Sequence, residues 1–192
     1  MATHRITRSA AIAAAAFCLP VVLAAAAPAF AGSQQGDPFG PACASVPKEG
    51  SGSFEGMAKD PVATAASNNP ELSTLVTAVK KAGLVDTLNN AKGITVFAPT
   101  NAAFAKIPKA DLDRILADKA ELTKILTYHV VGEEITPNEL AKGSFKTLEG
   151  GSLTTAGSGE TFTVNGTAKI VCGEVQTANA TVNIIDTVLT PM

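Results

Sequence analysis

The hydrophobic pattern of this chain changes near Tyr128, about two thirds of the way along its 192 residues. Before that point, apolar residues recur every three or four positions, which predicts amphipathic helices. After it, short β-branched and aromatic runs are separated by glycine and asparagine, which predicts strands. Helices followed by strands indicate the α+β class. We therefore expect a single α+β domain whose helical first half packs on a β-rich second half of short antiparallel strands.

The first predicted helix begins at Asn69-Pro70-Glu71. Asparagine can cap a helix, proline fits the first helical position, and glutamate favours the positive end of the helix dipole. Apolar residues then recur at helical spacing from Leu72 to Val79, and Lys80, Lys81 and Gly83 mark the stop. Further helices are predicted at residues 84–88, after the capping residues Thr100 and Asn101, at 112–116 and at 122–126.

Strand-like runs occur throughout the second half of the chain and once before it. They are short, β-branched or aromatic, and bounded by glycine, asparagine or proline. Asn165-Gly166 lies between two of these runs and predicts a hairpin turn, because both residue types tolerate a positive φ. The predicted strands cover residues 94–98, 128–131, 145–148, 152–156, 161–165, 169–172 and 182–189.

Residues 1–31 have the features of a secretory signal peptide. Arg5 and Arg8 give a positive start, an apolar run rich in alanine, valine and leucine follows, and residues 29–31 supply a small-x-small cleavage pattern. We expect a mature chain that is secreted into the extracellular space or retained at the cell envelope. We also expect this mature chain to have no transmembrane segment.

Residues 32–53 are rich in glycine, serine and proline and lack apolar periodicity, so we predict a flexible arm there and the folded domain at residues 54–192. Two cysteines remain after cleavage, Cys43 in the arm and Cys172 in a predicted strand. A cysteine pair in an exported protein more often forms a disulfide than stays reduced. The alternative is an exposed Cys43 and a buried, free Cys172.

The charge balance of the chain excludes one class of partner. Without residues 1–31, which hold two arginines and no acidic residue, 13 basic and 17 acidic residues leave a net charge of −4. The sequence has no cluster of lysine or arginine, and binding to nucleic acid requires concentrated positive charge. We therefore expect no nucleic-acid partner.

The sequence lacks the common catalytic motifs. Ser152 and Ser158 lie outside any Gly-x-Ser-x-Gly elbow, and there is no Cys-x-x-Cys and no phosphate-binding or dinucleotide-binding glycine motif. His129 is the single histidine that remains after cleavage, and an ordinary zinc site needs more nitrogen or sulfur ligands. We predict no enzymatic activity, no catalytic residues, no cofactor and no metal site.

Tyr128 and His129 have two interpretations. In the first, they form a recognition strip together with their aliphatic neighbours. In the second, hydrogen bonds orient His129 beneath neighbouring loops and the aliphatic neighbours are core, which the apolar spacing favours. A histidine in this position can also couple the stability of the fold to mildly acidic pH.

Three segments follow one another in a characteristic order: residues 95–104 (TVFAPTNAAF), Tyr128-His129, and residues 183–191 (NIIDTVLTP). Together they resemble the fasciclin-like domain, an extracellular module associated with adhesion and recognition. They mark the beginning, middle and end of residues 54–192, so the resemblance covers a whole domain. It implies that the first segment supplies a strand and a short helix, and that the last one supplies strands that close the core.

The resemblance also implies roles for residues in the first and last of these segments. Asn101 and Asp186 are expected to satisfy backbone groups at turns. The expected core residues are Val96, Phe97, Phe104, Ile184, Ile185, Val188 and Leu189.

Four shorter stretches resemble a narrower group, the small secreted immunogenic proteins of mycobacteria. Those proteins are single fasciclin-like domains that carry one disulfide and have no established enzymatic activity, which implies a bridge between Cys43 and Cys172. The stretches are residues 60–72, 126–131, 171–173 and 177–182.

Animal members of the family bind integrins through a Tyr-His pair and through an Asp-Ile type motif before the last segment. Tyr128-His129 matches the first motif, and Glu174-Val175 occupies the place of the second. The resemblance therefore makes these four residues the candidate interaction residues.

These observations predict a secreted, non-enzymatic fasciclin-like module for cell adhesion or extracellular protein recognition. We expect a monomer whose partner is an extracellular or cell-surface protein. The first alternative is a secreted carrier of a small hydrophobic ligand, in a cavity lined by the aliphatic residues between 125 and 131. The second is an unrecognised hydrolase that uses His129 with a serine and an acid.

Overall fold

Eight α-helices occur within residues 37–191, the part of the chain that the computed structural model describes. The predicted signal peptide, residues 32–36 and Met192 lie outside the described residues. None of the described helices is both long enough and apolar enough to cross a bilayer. The helices are α1 (Phe54–Met57), α2 (Val62–Ser67), α3 (Ser73–Ala82), α4 (Val85–Asn90), α5 (Asn101–Ala105), α6 (Lys109–Ala117), α7 (Lys119–Tyr128) and α8 (Pro137–Leu140), with 3₁₀ helices at Pro41–Ser45 and Pro70–Leu72.

The described strands form one seven-stranded sheet in the order β2-β1-β7-β6-β5-β4-β3. β1 and β7 pair in parallel, and every other neighbouring pair is antiparallel. This mixture of helices and a largely antiparallel sheet confirms the predicted α+β class. The strands are β1 (Ile94–Pro99), β2 (Val130–Val131), β3 (Lys142–Lys146), β4 (Ser152–Ser158), β5 (Thr161–Val164), β6 (Ala168–Gln176) and β7 (Ala180–Ile185).

The two edges of the sheet approach each other. Val131 in the edge strand β2 forms an antiparallel bridge with Thr147, which lies just after the opposite edge strand β3. The next residue, Leu148, donates its N–H to the carbonyl of Val130 at 2.8 Å. The sheet therefore curls until its edges are hydrogen-bonded, and one of its faces encloses an interior.

The central strands β1 and β7 separate two hydrophobic cores. Val96 and Ile184 belong to the core between the helices and the sheet, whereas Phe97 and Ile185 belong to the core inside the curl. Side chains alternate between the two faces of a strand, so both faces of these two strands are covered. Every residue of β1 and β7 is accordingly buried.

The predicted first helix is confirmed, with a difference in its first turn. Asn69 Oδ1 accepts the backbone N–H of Glu71 at 3.0 Å, as a capping residue does. The turn after Asn69 is a 3₁₀ helix, and the α-helix begins at Ser73. Gly83 ends α3 with a φ of 76°, a conformation that favours glycine.

The sequence pattern does not predict α1, α2 and α8, because four to six residues are too few for a periodic signal. Contacts from distant parts of the chain fix α2. The N–H of Val62 donates to Asn179 Oδ1 at 2.8 Å, and Asn179 Nδ2 donates to the carbonyls of Leu88 and Ala91 at 2.8 and 2.6 Å. Asn179 thus ties α2 to the end of α4.

The predicted strand at residues 128–131 is wrong at its start. Helix α7 continues to Tyr128, and β2 holds only Val130 and Val131. The N–H of His129 bonds to the carbonyl of Ile125 at 3.3 Å, which completes the last turn of the helix. The β-branched and aromatic composition of this stretch is therefore outweighed by the helix that precedes it.

The turns of the sheet include one that the sequence predicted. Asn165 and Gly166 have φ values of 52° and 67°, which confirms the predicted hairpin between β5 and β6. The predicted strand at 182–189 is too long, since β7 ends at Ile185. Asp186 instead uses its carboxylate to accept the N–H of Lys169 at 2.8 Å.

Asn101 has the turn-stabilising contacts expected of it. Its Oδ1 accepts the N–H of Thr74 at 2.9 Å, and its Nδ2 donates to the carbonyl of Pro70 at 2.9 Å. Asn101 therefore fastens the start of α5 to the start of α3.

Residues 37–53, which the sequence predicts to be a flexible arm, lie against β6. Phe39 pairs with Gly173 in an antiparallel bridge, and its ring centroid lies 5.1 Å from that of Phe162. Val46 is buried in the core between the helices and the sheet. A disulfide joins Cys43 to Cys172. Apolar contacts and the disulfide together thus hold this segment. The sequence pattern does not predict the apolar contacts, because the few apolar residues of the segment show no periodicity.

Replacement of both Cys43 and Cys172 by alanine is expected to lower the free energy of unfolding by about 4 to 5 kcal/mol. The bridge spans 129 residues of sequence, and closing so long a loop restricts the unfolded chain by about that amount in the chain-entropy model. Urea unfolding of the parent and of the double variant measures the difference. An unchanged unfolding midpoint would contradict this expectation.

Candidate functional site

Tyr128 lies in the core inside the curl and is only 3% exposed. Its hydroxyl donates to the carbonyl of Ser152 at 3.0 Å and accepts Asn165 Nδ2 at 3.1 Å. Ser152 begins β4, and Asn165 is in the hairpin turn between β5 and β6. Tyr128 therefore connects the end of α7 to two strands of the sheet.

His129 is 2% exposed and hydrogen-bonded at both ring nitrogens. The N–H of Leu189 donates to Nε2 at 2.9 Å, so Nε2 must be the unprotonated nitrogen. Nδ1 then carries the proton and donates to the carbonyl of Ile125 at 2.8 Å. The backbone carbonyl of His129 also accepts the N–H of Phe97 at 2.8 Å. One residue thus joins α7, β1 and the C-terminal segment.

Burial of His129 lowers its pKa from 6.5 to about 4, with the hydrogen bond to Ile125 acting in the opposite direction. The cause is desolvation, which disfavours the charged imidazolium. A second proton would also place an N–H against the N–H of Leu189. His129 is therefore neutral and in one tautomer throughout the physiological pH range.

Glu174 and Val175 lie in the bulged part of β6, and each is 1% exposed. Glu174 has a φ of 58°, and its N–H donates to Asn183 Oδ1 at 3.1 Å. Val175 pairs with Val182 of β7. A bulge adds a residue to one strand and bends it, which accounts for the positive φ in the middle of a strand.

All four candidate interaction residues are therefore interior in this structure. Their side chains are not available to a partner without a rearrangement of the loops and strands that cover them. His129 and Val175 do come together, because both line one apolar cavity, whereas Tyr128 packs in the other core. The arrangement agrees with the interpretation in which Tyr128 and His129 orient neighbouring loops.

This apolar cavity has a volume of about 60 Å³ and is lined by helices α1, α2, α3, α4 and α7 and by strands β1, β2, β6 and β7, with Leu148 also in its wall. Aliphatic side chains form most of its wall, including Leu72, Leu75, Val79, Leu88, Val96 and Val182. Asn69 also lines it and is 2% exposed. Asn69 Nδ2 is buried and has no hydrogen-bond partner. The sequence identified Asn69 as a helix cap and gave no sign of this second feature.

The surface above Tyr128 and His129 contains an apolar side chain that sequence reasoning missed. Within residues 37–191, Leu148 is the only exposed large hydrophobic residue, with 47% of its surface accessible. It follows the bridge between the two sheet edges. The neighbouring Glu149 forms an ion pair with Lys124 at 3.7 Å. Leu148 belongs to the predicted strand at residues 145–148, and nothing in that stretch of sequence distinguishes it from a core residue.

Among residues 37–191, no three histidine, cysteine, aspartate or glutamate side chains are grouped so that they could hold a metal ion.

The sequence profile described as "Fasciclin domain" matches residues 70–191, well over half of the chain. The chain belongs to the fasciclin family. The matched range includes helices α3–α8 and all seven strands of the sheet, whereas α1 and α2, which complete the core between the helices and the sheet and part of the cavity wall, precede it.

Relatives from bacteria agree with this assignment. "Immunogenic protein MPB70" of Mycobacterium bovis is 49% identical over 164 residues, which cover 81% of this chain and 83% of that protein. "Cell surface glycolipoprotein MPB83" of the same species is 52% identical over 147 residues, which cover 74% of this chain and 66% of that protein. "Protein sll1483" of Synechocystis is 40% identical over 128 residues. The resemblance to mycobacterial immunogenic proteins is thereby confirmed.

A solved structure shares the fold. It is a FAS1 domain pair from the insect cell adhesion molecule Fasciclin I, with a TM-score of 0.57 and 19% identity. The match covers 71% of this chain and 52% of that chain, so the fasciclin domain described here spans about half of the insect pair. At this level of identity the likeness establishes a common fold and nothing further.

Replacement of Tyr128 by phenylalanine is expected to lower the free energy of unfolding by about 1 to 2 kcal/mol. The change leaves the carbonyl of Ser152 and Asn165 Nδ2 without their buried partner. Thermal and urea unfolding measure the effect. Thr127→Val is the matched control, because it removes a neighbouring hydroxyl that bonds only within its own helix. Equal stability of the two variants would contradict the bridging role of Tyr128.

The fasciclin domain is expected to lose about 2 kcal/mol of unfolding free energy between pH 7 and pH 5. His129 binds a proton near pH 6.5 in the unfolded chain and only near pH 4 in the folded one. The unfolded state therefore binds more protons in this window, and stability is full above pH 6.5 and decreases as the pH falls towards 4. Urea unfolding at intervals of pH measures the slope.

The control for this pH dependence is His129→Gln, which keeps a side-chain acceptor near Leu189 and removes the titrating group. His4 is replaced in both proteins, since it is the other histidine of the chain. The variant should start from a lower stability and change little between pH 7 and pH 5. A slope equal to that of the parent would show that groups other than His129 cause it.

Proposed function

We propose that this fasciclin domain is an extracellular recognition module that binds another protein through the surface around Leu148. Leu148 is the one exposed large apolar residue among those that the structure describes, and this exposure carries the proposal. The residue lies beside the seam of the sheet, the place where Val131 of one edge bridges to Thr147 of the other. Interfaces are commonly built around a few apolar anchors with a polar rim. The name of one relative, a cell surface glycolipoprotein, supports the same class of function.

The backbone presents Leu148 in a fixed position. Thr147 bridges to Val131, and the N–H of Leu148 bonds to the carbonyl of Val130. An anchor held in its binding position loses less conformational entropy when a partner arrives. Lys124 and Glu149 beside it supply charge of both signs at the rim.

Tyr128 and His129 support this surface from below. They are the two residues before Val130, and their hydrogen bonds fix the end of α7 at the start of β2. If the Tyr-His pair is required for recognition, it acts by positioning the strand β2 and the Leu148 segment bonded to it, and it does not touch the partner. Substitutions at Tyr128 or His129 would then reduce stability and binding together.

The proposed module is not an enzyme. In the hydrolase alternative, His129 must accept a proton from a serine, but Nε2 already accepts the N–H of Leu189 and Nδ1 donates to Ile125. No ring nitrogen of His129 is left for a general base. A panel of esters and peptides checks this, and turnover that is lost in His129→Ala would overturn it.

Leu148→Asp is expected to reduce binding of the purified protein to its partner by at least about tenfold, since a charged group would replace the apolar centre of the contact. Fluorescently labelled protein is titrated onto intact cells of the secreting species and onto host cells, and the bound amount is measured. Proximity labelling on the same cells then identifies the protein contacted.

Ala110→Asp is the control, because it adds the same charge at an exposed position of α6. Both variants should keep the melting temperature of the parent. Saturable binding of Leu148→Asp that equals that of the parent would refute the proposed surface, and a loss of binding in Ala110→Asp as well would indicate a general effect of charge.

A second candidate function, carriage of a small hydrophobic ligand, is favoured by the apolar cavity between the helices and the sheet. Its volume of about 60 Å³ is well below the roughly 300 Å³ of a small drug-like pocket. A carrier would therefore hold a small molecule or open further around a larger one. Native mass spectrometry of protein purified from its own host tests this, and a consistently ligand-free mass would count against it.

A further inference from the structure

A residue in the wall of the cavity between the helices and the sheet has a buried polar atom without a hydrogen-bond partner. Asn69 Oδ1 caps the following turn by accepting the N–H of Glu71 at 3.0 Å. The other end of the same amide, Nδ2, is buried without a partner. A buried donor without an acceptor costs about 1 to 3 kcal/mol, so an acceptor at this place would stabilise the fold.

Most other polar groups around the cavity are already engaged or exposed. Of the four hydroxyls in its wall, those of Ser67, Thr127 and Thr177 donate to backbone carbonyls, and the fourth belongs to Thr87, an exposed residue. His129, also in the wall, uses both ring nitrogens. Among residues 37–191, no aspartate, glutamate, lysine or arginine lines the cavity. Asn69 Nδ2 is therefore the buried donor of the wall that has no acceptor.

We propose that this cavity binds a small, uncharged, mainly apolar molecule with one carbonyl oxygen, which accepts a hydrogen bond from Asn69 Nδ2. The inference rests on the carrier function and specifies its ligand. An apolar wall without counter-charges excludes an ionised ligand, because burial of an unpaired charge is costly. The free donor selects an acceptor oxygen over a pure hydrocarbon. The volume restricts the buried part of the ligand to a few heavy atoms.

Two test ligands of nearly equal shape separate the apolar contribution from the hydrogen bond. Butan-2-one has a carbonyl oxygen, and 2-methylbut-1-ene has a methylene group in its place. Each is titrated into the ¹⁵N-labelled full chain while amide chemical shifts of the cavity wall are recorded. The nuclear Overhauser effect between the Asn69 side-chain NH₂ and the ligand's methyl protons locates the bound ketone.

Asn69→Asp tests the donor with little change in shape. The carboxylate keeps an oxygen for the N–H of Glu71, and aspartate caps helices as well as asparagine does. It replaces the free donor with an acceptor. Butan-2-one should bind about five- to tenfold more weakly to this variant, and 2-methylbut-1-ene should change by less than about twofold. Asn138→Asp, at an exposed position of α8, is the charge control and should bind both ligands as the parent does.

The outcomes distinguish this inference from the carrier function. If both ligands bind and Asn69→Asp weakens them equally, the cavity is a binding site but recognition of a carbonyl by Asn69 is overturned. If neither ligand shifts the wall of the parent cavity, the carrier function at this place and the inference both fail. If Asn69→Asp does not fold, the Overhauser measurement on the parent protein decides the question. A bound ketone without an Overhauser effect to Asn69 overturns the inference.

Discussion

A single residue with a neutral imidazole connects three separate parts of this fold, namely the helix α7, the strand β1 and the C-terminal segment. His129 bonds to Ile125 in α7 and to Leu189 near the C-terminus, and its carbonyl pairs with Phe97 in the central strand β1. Leu189 packs in the core inside the curl, so this contact holds the last segment over that core. Because the imidazole is buried, its neutral form is a condition of the structure, and protonation opposes folding.

The signature residues of the family are used mainly inside the protein. Tyr128 and His129 hold the end of α7, and Asn101 and Asp186 satisfy backbone groups at turns. Such residues specify one arrangement of the chain, because buried polar groups are costly in any arrangement that leaves them unpaired. Two features lie outside these signatures: the exposed side chain of Leu148 and the Nδ2 of Asn69, which has no hydrogen-bond partner.

Much of the fold could be predicted from local chemistry. The cap at Asn69, the stop at Gly83 and the Asn165-Gly166 hairpin each follow from the conformational preferences of the residues concerned. Predictions failed where distant contacts decide. The turn from α7 into β2 was placed in the strand. The segment 37–53 was expected to be a flexible arm, and a disulfide and the Phe39 contacts join it to β6.

The sequence by itself determined the class of fold, the family and the places of the longer helices and of most strands, because periodicity and capping are properties of neighbouring residues. Only the tertiary structure decided which residues are accessible. Burial depends on what packs over a residue from elsewhere in the chain, and no local pattern reports it. For that reason Tyr128 and His129 became interior supports, Leu148 became exposed, and Asn69 became a buried residue in the wall of an apolar cavity with no partner for its Nδ2.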